Sequence, residues 1–300
     1  MDQVAACIAK HGNVWSLVTN NEMESLFEPL HAARASSYKT KVKVEKGFKY
    51  GPSDRHRIDL YTPITTPDKK LPVLVFFHGG GFLAGDNDIT PSMHGHIGNY
   101  FASNNTICAL ATYRVIPEAV YPSGAQDVTS AFAWIRDNIS QHGGDPNHLT
   151  AVAQSAGASH LAAALFSSHL SNAGITLQGA ILLSAPLWYD LRQERRKRNM
   201  YAYHEAITNE EVLSKTGVAQ FIDSEASDLP HTNILLVLGE LDPNEIVDGN
   251  LMFVDAYRKR FSRLPILEVL KGQNHISYFL GLGLDGDRLG KRILEFVALQ

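Results

Sequence analysis

Three hundred residues, 44% of them hydrophobic and 19% charged, suffice for one large core and exclude a disordered or fibrous chain. The formal net charge of −4 offers no basic field for a phosphate backbone, so nucleic acid is not an expected partner. The opening MDQVAACIAKHGNVW lacks the basic start and apolar run of a secretion signal, and no stretch approaches the roughly 18 apolar residues of a membrane span, so the expectation is a soluble, cytoplasmic protein.

In chain order, residues 1 to about 38 follow no strand rhythm and are expected to form part of a cover. Thr40–Lys49 and Arg57–Tyr61 alternate polar with apolar residues around the turn-like GPSD, which predicts an antiparallel hairpin at the leading edge of a sheet. From there short apolar runs alternate with amphipathic stretches, the pattern of a mostly parallel sheet with helical crossovers on both faces. The predicted strands are Val73–Phe77, Ile107–Tyr113, Leu149–Ala153, Ala180–Ser184, Ile234–Gly239 and Ile266–Leu270, each continuous and so expected to be buried on both faces. The predicted helices are Pro91–Asn104, Gly124–His142, Ala156–His169, Val247–Phe261 and Asp287–Ala298. In the second, Val128, Ala131, Phe132, Ile135 and Ile139 share one stripe. The polar and aromatic stretch from about 187 to 230 breaks the rhythm and is expected, with 1–38, to form a small helical lid on a single domain spanning 1–300. Two cysteines, Cys7 and Cys108, make no disulfide framework, and Cys108 in ICALATY reads as a buried, inert thiol.

The chemistry concentrates at four places. Leu149 to Gly157 runs an apolar strand into Gln154-Ser155-Ala156 and then an Ala-rich helix, the pattern of a nucleophile elbow. Ser155 must stand on a tight turn above the sheet, with small residues two positions away on either side. Ala153 replaces the usual first glycine there. His78-Gly79-Gly80-Gly81-Phe82 follows the strand VLVFF, and three consecutive glycines are entropically costly without a reason. Backbone amides aimed at a tetrahedral oxyanion supply one, worth about 3–4 kcal/mol each. Gly80, Gly81 and the N–H of Ala156 are the candidates, since neither a G-x-G-x-x-G pattern nor a P-loop Lys-Ser/Thr is present. A serine hydroxyl needs a base, and a base needs a carboxylate to orient it. Of 13 histidines, His275 follows the strand ILEVL in a turn-like KGQNH, whereas His94, His96, His142 and His169 lie on or beside helices as solvated or capping residues. Asp242 follows ILLVLGE; Glu240 is its nearest rival, and Asp248 and Asp255 belong to the next helix as a cap and a surface residue. All three candidates leave strands at the carboxyl edge, where open α/β sheets gather their catalytic groups.

Phe82, Trp188, Tyr189 and Tyr278, with Phe279, lie next to these positions and suggest an aromatic-walled substrate site, or equally the packing of lid on core. The basic run Arg192–Arg198 reads as a solvated helix face with Glu194 and Arg198 paired. There is no HExxH and no His/Asp ligand cluster, so no metal and no cofactor is expected.

Together these residues resemble the hormone-sensitive-lipase branch of the α/β-hydrolases, carboxylesterases and lipases marked by an HGGG loop ahead of the elbow and by the order Ser, Asp, His. The likeness covers roughly residues 45 to 300 and includes Tyr113-Arg114-Val-Ile-Pro117-Glu118, Tyr121-Pro122 and Gly144-Asp145-Pro146. The family's elbow reads G-D-S-A-G-G, whereas this one reads A-Q-S-A-G-A with Gln154 beside the nucleophile. The resemblance implies an α/β-hydrolase fold and a serine carboxylesterase acting on a small or medium ester through an acyl-enzyme. An amidase or formamidase with the same triad stays open, as does a homodimer. A non-catalytic small-molecule receptor on a hydrolase scaffold is a third reading, against which the retained His275 argues.

Overall fold

The structure, a computed structural model, describes residues 1–65, 69–225, 229 and 232–299. Residues 226–228 and 230 of the second expected cover segment, and Gln300 at the end of the expected single domain, lie outside these described residues.

The chain opens with helices α1 (Asp2–His11) and α2 (Leu17–Tyr38), then enters β1 (Val42–Lys49), β2 (Arg57–Pro63) and β3 (Leu71–Phe77). Helix α3 (Gly95–Ser103), β4 (Ile107–Ala111), α4 (Ser123–Asn138), β5 (Gly144–Gln154), α5 (Ala156–Phe166), α6 (His169–Asn172) and β6 (Gly179–Leu183) follow. Helices α7 (Glu194–His204), α8 (Asn209–Leu213) and α9 (Gly217–Asp223) precede β7 (Asn233–Leu241), α10 (Asn244–Phe261), β8 (Ile266–Asn274), α11 (Ser277–Leu280) and α12 (Leu289–Ala298). The strands form one eight-stranded sheet in the order β1-β2-β4-β3-β5-β6-β7-β8. The predicted hairpin β1–β2 is antiparallel at one edge, and β2 pairs antiparallel with β4. Every later pairing is parallel. None of the described helices is long and apolar enough to cross a membrane.

The continuous apolar runs are explained by two cores. Val73, Val75 and Phe77 point into one cluster with the α4 stripe, while Leu74 and Phe76 point into the other with Ile97, Phe101, Ile293 and Phe296. Period-2 alternation thus survives with both faces apolar. Ile266–Leu270 departs from this. Ile266, Leu267 and Val269 are exposed because β8 is the terminal strand of the sheet; α12 meets it through the Arg292–Glu268 ion pair. Helices α1 and α2 bury Val4, Cys7, Ile8, Met23 and Phe27 in the second core; their connection reaches the carboxyl edge beside His275, and α2 meets the loops there through Glu28 and His31. In the second segment, α7 and α8 cover Phe82 and Ala156, whereas α9 places Val218 and Phe221 in the first core.

Three sequence readings are corrected. His94 and His96 are not solvated: His94 is the N-cap residue of α3 without a side-chain cap bond, and both rings are buried, meeting the carbonyls of Asp86 and Phe279 at 2.8 and 3.0 Å. Asp248 caps nothing, because α10 begins at Asn244 and leaves it exposed inside the helix. The basic run pairs outward from its own helix: Arg196 bonds Glu245 of α10 and lies over the Tyr189 ring, and Arg192 bonds Asp190, in place of a Glu194–Arg198 pair.

Candidate active site

Strand β5 delivers Ser155 at φ 50°, ψ −119°, a left-handed conformation that non-glycine residues rarely adopt. Its N–H donates to Leu183 O at 2.9 Å, fixing the turn against β6. Gly157 permits the close crossing of strand and helix, since a Cβ there would stand 2.4 Å from His78 O and 2.7 Å from Phe77 O. At Ala153 the methyl is accommodated fully buried in the first core.

His275 Nε2 lies 3.0 Å from Ser155 Oγ, and its Nδ1 lies 2.7 Å from Asp242 Oδ1. With a carboxylate as partner, Nδ1 carries the proton and donates it, which leaves Nε2 to accept from the serine hydroxyl. The His275 turn is built by Asn274, whose Oδ1 accepts from the amides of Ile276 and Ser277 at 3.2 and 3.0 Å while its own N–H donates to Ser277 Oγ at 3.0 Å. Asp242 is held on its other oxygen: Oδ2 accepts from Gly239 N–H at 2.8 Å and from Ser184 Oγ at 2.6 Å. Glu240, the rival carboxylate, instead accepts from Gly272 N–H at 2.7 Å on the exposed side of the turn.

The glycine loop is fixed from behind. His78 is fully buried between Gly79 O, which its Nδ1 meets at 2.6 Å, and Thr112 Oγ1, which its Nε2 meets at 3.1 Å. Burial drives its pKa well below the ordinary histidine value, so the ring is neutral and Nδ1 is the donor. Tyr113 stacks on that ring at 4.4 Å, and its hydroxyl donates to His78 O at 2.6 Å. Gly80 turns with φ +132°, where a Cβ would stand 1.9 Å from Ala84 O, and Gly81 with φ +63°. Among the described residues, the N–H groups of Gly80, Gly81 and Ala156 donate to no protein acceptor.

The four aromatic candidates are not gathered into one wall. Phe82 and Tyr189 are buried in the cluster under α7, Phe82 stacking on Tyr203 at 4.4 Å. Trp188 is half-buried and packs against Gly249 of α10. Tyr278 stands one link behind Asp242, its hydroxyl 2.5 Å from Ser184 Oγ. Three further residues belong to the site, of which the sequence reading singled out only Gln154, as a departure from the family's elbow. Ser184 orients Asp242 from the end of β6. Gln154 is buried and reaches from Gly79 to His275 O, which its Nε2 meets at 3.4 Å. Trp15 lies edge-on to His275, with ring centroids 6.0 Å apart. A strand-end hydroxyl at 184 was the only sequence signal for the first, and Trp15 had none.

Away from this site, Cys7, His11 and Glu22 bring donor atoms within 4.8 Å of one another. Lys10 and His11 already bond that carboxylate at 2.8 Å, so the cluster serves to tie α1 to α2.

The profile of the carboxylesterase family matches residues 36–204, starting inside α2 and ending with α7. Isoprenylcysteine alpha-carbonyl methylesterase of Arabidopsis thaliana is 34% identical over 129 residues, 43% of this chain and 29% of that protein. A carboxylesterase of Mycobacterium tuberculosis is 30% identical over 133 residues, 44% of this chain and 38% of its own. The chain therefore spans 29–38% of the length of these two curated relatives. Among solved structures, esterase B of Lactobacillus rhamnosis superposes with TM-score 0.72 at 14% identity, covering 100% of this chain and 96% of that one. A hyperthermophilic esterase of Pyrobaculum calidifontis gives 0.67 at 18% identity, with 92% of each chain covered. With these structures sharing its α/β-hydrolase fold and the family profile matching more than half its length, the protein belongs to the carboxylesterase family.

Proposed function

We propose that this chain hydrolyses small or medium carboxylic esters through a covalent acyl-enzyme on Ser155. The observation that carries this reading is the relay of 3.0 and 2.7 Å from Ser155 Oγ through His275 to Asp242. In the first half-reaction Oγ attacks the ester carbonyl as its proton passes to His275 Nε2. The oxyanion is stabilised by the amides of Gly80, Gly81 and Ala156, which the turned glycine loop and the first turn of α5 leave open for it. Collapse breaks the bond to the alcohol oxygen, which takes the proton back from Nε2. Water then attacks the acyl-enzyme with the same imidazole as base, and the acid and free Ser155 are restored.

Domain organisation supports the same reading: one catalytic unit, with the 12–16 connection and α7–α8 as its cover. A fluorophosphonate followed by peptide mass mapping tests it. Stoichiometric modification at Ser155 is expected, with Ser155→Ala lowering kcat by roughly 10⁴- to 10⁶-fold. Modification elsewhere, or turnover that survives the substitution, excludes the mechanism.

A further inference from the structure

We propose that Trp15 is a specificity-determining residue, its indole forming the wall against which the alcohol half of the ester lies and favouring flat, apolar leaving groups. The inference rests on the reading of Ser155, His275 and the Gly80–Gly81 amides given above.

Trp15 spans the two catalytic loops. Its ring is 6.0 Å from the His275 imidazole at an interplanar angle of 70°, and its Cη2 atom lies 4.0 Å from where a Cβ would stand on Gly81. An ester carbonyl with its oxygen toward the loop amides and its leaving oxygen toward Nε2 sits between these two groups. The alcohol portion departs on the imidazole side and there meets the indole; the acyl portion, bonded to the carbon that Ser155 attacks, is not directed at it.

The wall is built rather than loose. Val14 N–H donates to His11 O at 3.1 Å, and Thr19 Oγ1 donates to Val14 O at 3.3 Å. Asn13 Nδ2 donates to Asn244 Oδ1 at 3.2 Å, two residues beyond Asp242. The seam between residues 12–15 and Leu241, Asn274, His275 and Ile276 has no room for a water molecule. Trp15 nevertheless remains 37% exposed, a large apolar ring held open beside the base. Such a ring offers edge and stacking contacts to a planar group, worth up to about tenfold in affinity.

The test compares kcat/KM of the wild type, Trp15→Phe, Trp15→Leu and Trp15→Ala on two ester series. One fixes the acyl group (ethyl, benzyl and phenyl acetate) and the other fixes the alcohol (phenyl acetate, propionate and butyrate). Trp15→Ala and Trp15→Leu are expected to lose about tenfold on phenyl acetate and little on ethyl acetate, with the acyl ranking kept and Trp15→Phe near wild type. Trp15→Leu keeps apolar bulk at the seam, so the comparison stands even where Trp15→Ala unfolds. An unchanged alcohol preference, or a change in the acyl ranking instead, overturns the assignment of Trp15 while leaving the hydrolase reading intact. A wild type that turns over none of these esters overturns both.

Discussion

At the scale of single residues, the orientation of Asp242 depends on donors that no motif announces. Its Oδ2 takes hydrogen bonds from Gly239 N–H and Ser184 Oγ, and Tyr278 OH closes on Ser184 behind it. Hydrogen bonds to a charged group are worth roughly 1.5–3 kcal/mol, and the loss here falls on the geometry of the relay rather than on substrate contact. Ser184→Ala is therefore expected to lower kcat about tenfold with KM changed less than about twofold; steady-state kinetics on one activated ester reads the split. A rise in KM at constant kcat would place Ser184 in substrate binding instead. The meeting of Ser155, Asp242 and His275 was legible because each follows an apolar run, and those runs are strands that end at the same sheet edge. Ser184 was not, since one serine closing AILLS looks like any strand terminus. Nor was Tyr278, whose placement beside His275 in sequence suggested a pocket wall while its hydroxyl turns to Ser184.

Among the elements, the connection between α1 and α2 has the most to do in the fewest residues. Ser16 caps α2, its Oγ accepting from Thr19 N–H at 3.1 Å, and so sets the angle at which Trp15 leaves the helix. Ser16→Ala is expected to cost about 1 kcal/mol of stability, read as a lowered urea midpoint at unchanged slope. A midpoint equal to wild type would mean that the cap is redundant with the packing of Met23 and Phe27. The sequence predicted the sheet and its crossovers well because buried parallel strands and amphipathic helices carry distinct periods. It misread β8, because an apolar run looks the same at the edge of a sheet as in its middle. It also misread His94 and His96, because an imidazole that finds a backbone carbonyl is buried as readily as it is solvated. In residues 1–38 the absence of strand rhythm was legible, but only the folded chain shows α1 and α2 burying Val4, Cys7, Ile8, Met23 and Phe27 in the second core.

Over the whole molecule, buried histidines couple folding to pH. Burial pushes His94 and His160 down to about 4 and His204 to about 3, while His78 and His96 fall well below the ordinary value. In the unfolded chain each binds a proton near pH 6.5. Between that pH and about 4 the unfolded state therefore holds more protons, so stability falls as pH drops through this window and is level above it. Glu24, Asp59 and Asp287, whose pKa values burial raises, act in the opposite sense, but they are three against six, since burial lowers His31 as well. Urea midpoints at about pH 7.5, 6 and 5 are expected to decline in that order, and equal midpoints would contradict the neutral burial of these rings. Among the described residues seven non-glycine residues have positive φ, and three of them, Phe82, Ser155 and Ser184 at 71°, 50° and 45°, stand with Gly80 and Gly81 at the carboxyl edge of the sheet. Each non-glycine residue so placed costs roughly 1–3 kcal/mol, and only a well-packed interior below can keep it there. The rim of the sheet is thus held under tension by its foundation, and substitutions that relax it are expected to raise stability at the expense of the activity proposed there.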